Sequence, residues 1–279
     1  GTLVSREPRS RSRAYMTRSS VSTSDRAAAA ALSVLQEKFL NDPYFAILKK
    51  FKTKDEHDSK NPEKPFPDKH YLHWLLEEWH DSGENTIYVA KSRQLMVSWL
   101  LAAYGLWTAL SRPHATVLWQ STKLEHAAPF IFEKGWRHAR MSMLLGLLPE
   151  YLRVCRMPDG SIAELGDVDQ YGSFAKLTLP NGSKIEGLAQ GAQQVEGKVP
   201  SLFISDEGSL QEQFASAMAA VKPAIDGDAK LLAVGTMRLP SSFGDQVSPS
   251  WDSNPDQEGR GLAKFKTSEG TYGLRVHYS

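Results

Sequence analysis

Short apolar runs recur along the chain at Thr86–Val89 (TIYV), Ala115–Gln120 (ATVLWQ), Leu202–Ser205 (LFIS) and Lys230–Gly235 (KLLAVG). Each has strand length and little polar alternation, the pattern of strands buried on both faces. Between them lie stretches with helical spacing. Ala27–Leu40 and Tyr71–Trp79 are amphipathic, and Trp99–Leu110 (WLLAAYGLWTAL) is apolar at roughly helical intervals. Further helices are expected over Lys123–Ala139, over Met141–Val154 with a break near Pro149, and over Phe214–Val221. Strands alternating with helices predict an α/β fold, a mostly parallel central sheet with helices on both faces. Ser173–Leu179 and Lys184–Leu188 flank Pro180-Asn181-Gly182, a turn sequence that predicts an antiparallel hairpin added to that sheet. Two strand-like pieces, Leu262–Thr267 and Tyr272–His277, close the chain. Lys52–Lys69, charged and interrupted by Pro62, Pro65 and Pro67, reads as an exposed linker.

Composition narrows the classes. With 279 residues, 41% hydrophobic and 23% charged, the chain suits one large globular domain or two small ones. A net charge of +1 excludes a nucleic-acid binder that is basic throughout, so any such surface is local. The single cysteine, Cys155, excludes a disulfide framework or a cysteine-rich zinc site within the chain and points to a reducing compartment. The apolar runs all fall short of the ~18 residues of a membrane span. Residues 1–26 stand apart as an Arg/Ser-rich tail, read as disordered or as vector residues ahead of a start at Met16 in preference to a transit peptide. The expected organisation is that tail, a helical segment and linker over 27–65, a core over 66–240, and a C-terminal segment over 241–279.

Candidate chemistry sits at strand ends. Lys91-Ser92-Arg93-Gln94-Leu95-Met96-Val97-Ser98 lies between a strand and a helix, the context of a phosphate-binding loop. The usual pattern is G-x-x-x-x-G-K-[ST]. Aligned on Ser98, Met96 replaces the second glycine and Val97 the lysine. Lys91 or Arg93 must then carry the charge to the β- and γ-phosphates, since both side chains are long and flexible. The strand Leu202–Ser205 ends in Asp206-Glu207. Adjacent carboxylates at a strand end point different ways, which suits Asp206, with Ser98, to Mg²⁺ and Glu207 to an attacking water. Both motifs lie where ligands bind in open α/β sheets, at the carboxyl ends of strands. Gly235-Thr236, after the last buried strand, could sense the γ-phosphate. The loop Gln193–Lys198 could touch nucleotide or DNA, and Arg137 and Arg140, about a helical turn apart, could reach a neighbouring subunit's nucleotide as an arginine finger. The histidines offer no metal spacing, and Trp74, Trp79, Trp99, Trp107 and Trp119 read as core.

In combination these motifs resemble the ATPase domain of the tailed-phage terminase large subunit, the viral DNA-packaging motor. Many members carry Ser-Arg-Gln-x-Gly-Lys-[Ser/Thr]; here the loop reads Ser92-Arg93-Gln94-Leu95-Met96-Val97-Ser98. A deviant form with its lysine first fits Lys91-Ser92 through Ser98. Asn181-Gly182-Ser183, Gln194–Gly197, Leu202–Glu207 and Gly235-Thr236 follow in the family's order, over roughly Phe66 to Tyr278. The resemblance implies a RecA-like P-loop NTPase fold of the additional-strand type, and hydrolysis of Mg-ATP coupled to translocation of double-stranded DNA. It also implies a five-membered homo-oligomeric ring on the procapsid's portal protein, a small terminase subunit as partner, and action in the host cytoplasm without a membrane. The chain lacks a later acidic cluster for a two-metal nuclease, so the motor half of a longer protein is expected. The alternatives are another P-loop translocase or helicase-like ATPase, and a degenerate, non-hydrolysing domain that binds DNA or the portal.

Overall fold

The computed structural model describes residues 23–54, 58–131, 134, 147–156, 162–164, 175–252 and 261–277. Helix α1 (Thr23–Asn41) leads through a π-helical turn, Tyr44–Leu48, to strands β1 (Lys52–Lys54) and β2 (Glu63–Pro65). Helix α2 (His70–His80), β3 (Thr86–Lys91), α3 (Val97–Ser111), β4 (Thr116–Gln120) and α4 (Leu124–Pro129) follow. A short helix α5 (Glu150–Arg153) precedes β5 (Val154–Arg156) and β6 (Ile162–Glu164), and then come β7 (Lys176–Thr178) and β8 (Lys184–Leu188). The remainder is β9 (Leu202–Ser205), α6 (Phe214–Asp226), β10 (Lys230–Gly235), α7 (Ser242–Val247), β11 (Leu262–Lys266) and β12 (Tyr272–Val276).

The main sheet runs β11-β12-β3-β10-β9-β4-β8-β7. Every pairing from β12 to β8 is parallel, and only β11 and β7 at the edges are antiparallel. Alternation along the strands serves two cores. Ile87, Val89, Val117, Trp119, Leu202, Ile204, Leu232 and Val234 pack against α1, α2 and α3. Tyr88, Leu118, Phe203, Leu231 and Ala233 pack against α6 and α7. That is why the runs look continuously apolar: each residue has a buried partner on one face or the other. Helix α3 is buried on nearly every side, between the sheet and the N-terminal helices, which explains its lack of a polar stripe. The β7–β8 turn is built as its sequence predicts. Leu179 and Ser183 close it, and Gly182 takes φ +80°, the left-handed position of a three-residue hairpin loop.

Some expectations change. Lys52–Lys69 is not simply a linker: β1 and β2 pair antiparallel, and Thr53 and Phe66 are buried. The proline-rich charge pattern hid two short strands whose inward residues are too few to show periodicity. The β5–β6 pair has no clear signal in the sequence. Helix α4 covers only the first part of Lys123–Ala139, and residues 132–133 and 135–146 lie outside the described residues. The closing strands join the main sheet beside β3, which places β12 next to the candidate phosphate loop. Trp74, Trp79, Trp107 and Trp119 are buried as expected, and Trp99 is partly so. Among the described residues no helix is long and apolar enough to cross a membrane.

Candidate nucleotide-binding site

The octapeptide runs from the end of β3 into the first turn of α3. Lys91 pairs with Val276 on β12, and the Ser92 N–H donates to the Val276 carbonyl at 3.0 Å. The chain then turns sharply: Gln94 has φ +60° and Met96, which precedes the helix, φ +52°. Left-handed backbone is glycine's territory, and a side chain there costs about 1–2 kcal/mol. Met96 thus holds the conformation of the glycine it replaces. No side chain caps α3, so the N–H groups of its first turn point out of the strand end, where an anion would meet them. Leu95 and Val97 are buried in the core, so only their backbone can face a phosphate. The position usually held by lysine is therefore closed to any charge, because it points inward.

Strand β10 stands between β3 and β9, the additional strand that separates a phosphate loop from its acidic strand end. The site bridges that gap. Ser98, in the first turn of α3, donates from Oγ to Asp206 Oδ1 at 3.4 Å, across 108 residues of sequence. Asp206 is fully buried. The same Oδ1 accepts the Glu207 N–H at 3.0 Å, whereas Oδ2 is buried and accepts nothing from the described residues. Burial pushes the Asp206 carboxyl above the ordinary carboxylate range. The Lys91 ammonium opposes that shift, Glu207 adds to it, and the Ser98 and Glu207 hydrogen bonds oppose it. A buried carboxylate oxygen with no donor is costly, and a divalent cation beside it and the Ser98 hydroxyl would satisfy it. The donor set, one carboxylate and one hydroxyl, is of the hard-oxygen kind that Mg²⁺ takes.

Glu207 is exposed and also left-handed, with φ +54°. A residue that the sequence did not single out holds it there. Gln211, itself buried, donates from Nε2 to the Asp206 carbonyl at 2.8 Å and to Ser205 Oγ at 3.0 Å. The peptide leading into Glu207 is clamped from behind. Nothing in sequence flags a glutamine four residues beyond the acidic pair.

Two adjoining clefts open at this end of the sheet. The smaller, about 270 Å³, is lined by Lys91, Arg93, Gln94, Glu207, Ser209 and Thr236 among others. The larger, about 610 Å³, lies on the β12 side and shares Lys91, Arg93, Thr236 and Arg238 with the first. The sequence-predicted residues Lys91, Arg93, Glu207 and Thr236 therefore share one cleft, with Ser98 and Asp206 just beneath the loop. Thr236 Oγ1 is 3.5 Å from Ser209 Oγ, which joins the loops after β9 and β10. The loop Gln193–Lys198 is not brought here. Lys198 pairs with Glu186 on β8 at 2.6 Å, Val195 is buried, and none of these residues lines either cleft. A polar, glycine-containing loop is ambiguous in sequence; the sheet order puts this one near β8, away from β3. Arg137 and Arg140 lie outside the described residues. Among the described residues no group of three or more His, Cys, Asp or Glu side chains is placed to hold a metal ion.

The sheet order, with β10 inserted between β3 and β9, defines a RecA-like α/β fold of the additional-strand type. Solved structures of phage large terminase ATPase domains share that fold. The large terminase ATPase domain of Thermus phage P74-26 superposes with a TM-score of 0.50 and 14% identity, over 86% of this chain and 85% of that one. A point mutant of the same domain gives 0.51 and 13%, over 86% of each chain. The resemblance read from the motifs thus holds in the fold, at identities where sequence alone leaves little trace. No family model and no curated protein matches the chain.

Proposed function

We propose that this chain is the ATPase domain of a viral DNA-packaging motor, hydrolysing Mg-ATP to drive double-stranded DNA into a procapsid. The observation that carries the chemistry is the Ser98–Asp206 contact beneath a loop that shares its cleft with Glu207. Lys91 and Arg93 offset the charge of the β- and γ-phosphates, and the first-turn N–H groups of α3 bind their oxygens. Ser98 and Asp206 would hold Mg²⁺, which would supply positive charge to offset that of the phosphates. Glu207 orients a water and takes its proton as the water oxygen attacks the γ-phosphorus. The bond to the β-phosphate oxygen breaks, and ADP and phosphate leave. Thr236, tied to Ser209, passes loss of the γ-phosphate to the loop after β10. The likeness to a phage terminase ATPase domain supports the motor reading. It is on that basis that we assign the portal protein, a small terminase subunit and a five-membered ring as partners, the host cytoplasm as the place of action, and Arg137 or Arg140 as the finger given to a neighbour's nucleotide.

The test is binding and turnover measured on one protein set. Glu207→Gln should keep Mg-ATP affinity within about threefold yet lose at least about a hundredfold in turnover, the usual size of a lost general base. Lys91→Ala should weaken both. Undiminished turnover in Glu207→Gln refutes the assignment of the base. Normal affinity in Lys91→Ala moves the charge to Arg93. Absence of Mg-ATP binding by the unmodified chain in calorimetry marks a non-hydrolysing scaffold instead.

A further inference from the structure

The described tryptophans differ in burial, with Trp99 intermediate. Trp74, Trp79, Trp107 and Trp119 are at most 7% exposed, whereas Trp251 is 69% exposed. Trp251 ends the 3-10 turn Ser248–Trp251, and that turn is tied to the sheet: Arg275 on β12 donates from Nη1 to the Ser250 carbonyl at 2.9 Å. The indole is a large apolar surface on a fixed mount, and it lines the larger cleft. The phosphate-loop residues Lys91 and Arg93 line the same cleft, and among the described residues no carboxylate does. An aromatic face and a cationic loop sharing one cavity of about 610 Å³ suit a ligand that is flat and aromatic in one part and polyanionic in another. Among the described residues no aromatic side chain lines the smaller cleft, which holds Glu207.

We propose that Trp251 stacks on the base of the bound nucleotide. The nucleoside lies on the β12 side of the phosphate loop, and the γ-phosphate and attacking water lie on the Glu207 side. This rests on the nucleotide reading above and fixes the direction in which the nucleotide lies across the loop. It also makes the C-terminal segment part of the ATP site, since Trp251 lies beyond β10 and its anchor Arg275 lies on β12. Stacking recognises a π-face and tolerates different bases, so Trp251 contributes affinity for a nucleoside without strict choice of base.

The test compares ATP with inorganic tripolyphosphate, each with Mg²⁺, by calorimetry on the full chain and on Trp251→Ala, Trp251→Gln and Trp251→Phe. Trp251→Ala and Trp251→Gln should lose about tenfold or more in ATP affinity, the scale of one base–aromatic stack. Both should bind tripolyphosphate as the unmodified chain does, and Trp251→Phe should keep most of the ATP affinity. Unchanged ATP affinity in Trp251→Ala or Trp251→Gln overturns the proposal and places the base elsewhere. Equal loss of both ligands also overturns it, because the indole would then support the loop and not the base. Failure of the unmodified chain to bind either ligand overturns the nucleotide reading itself, and the stacking role with it.

Discussion

Met96 shows how the candidate phosphate loop turns without a glycine. Its backbone sits at φ +52°, so the fold keeps the turn and accepts the strain. Replacing Met96 by glycine should stabilise by at most about 1.5 kcal/mol, because relief of about 1–2 kcal/mol is offset by about 0.5–1 kcal/mol of extra chain entropy. Met96→Val places a β-branched side chain in the same backbone and should cost about 2 kcal/mol or more. Denaturant unfolding of the two variants checks this, and equal stabilities would rule out a left-handed Met96. Asp206 is a comparable concession. Its Oδ2, without a donor among the described residues, carries a desolvation cost that a bound cation would relieve. Of these features, the identity of Asp206 was legible in sequence and its unpartnered oxygen was not. An acid at a strand end is visible as a letter, but its burial depends on what packs above it.

Between elements, one ring joins the two loops that carry chemistry. Phe243 of α7 is fully buried and stacks on Tyr88 with ring centroids 6.1 Å apart. A Cβ built on Gly208 would lie 2.7 Å from Phe243, and one built on Gly235 would lie 2.9 Å from it. Both glycines are bare so that this ring can wedge between the β9 and β10 loops, next to Glu207 and Thr236. Gly235→Ala should therefore destabilise by about 1–3 kcal/mol, the range for overpacked cores. Much of that should disappear in a Phe243→Leu background, as measured by a double-mutant cycle in chemical denaturation. Strict additivity would show that the wedge is not the reason for glycine. Gly235-Thr236 was legible as a strand-end motif, whereas Phe243 was not, because one phenylalanine in a Ser-rich stretch has no period to announce it.

The whole molecule titrates through its helical layer. His80, at the end of α2, packs edge-on against Trp107 of α3 with centroids 5.2 Å apart. Burial pushes its pKa below the usual 6.5, with Asp81 opposing and Lys230 and Arg112 adding to the shift. The folded state thus prefers neutral His80. Stability is complete above the unfolded pKa and falls as pH drops through about 6.5 toward the lower folded value. Thermal melts between pH 7.5 and about 5 should show this decline, and His80→Gln should flatten it by no more than one proton's slope. An identical slope in the variant would assign the decline to other groups.

What the linear chain settled were the features written in short-range pattern. The apolar runs became β3, β4, β9 and β10, the Pro-Asn-Gly turn became a hairpin, and the octapeptide and the acidic pair were visible as strand-end motifs. Burial on both faces leaves that signature in any local window, so no neighbour need be known. Sheet order carries no such signature. The insertion of β10 between β3 and β9, the arrival of β12 beside the phosphate loop, and the exclusion of Gln193–Lys198 from the clefts all follow from pairings between distant segments. Those pairings also brought Ser98 to Asp206, seated Gln211 behind Glu207 and set Trp251 at the mouth of the larger cleft. Hydrogen bonds and contacts across more than a hundred residues depend on the summed packing of two cores, and that sum exists only once the chain has folded.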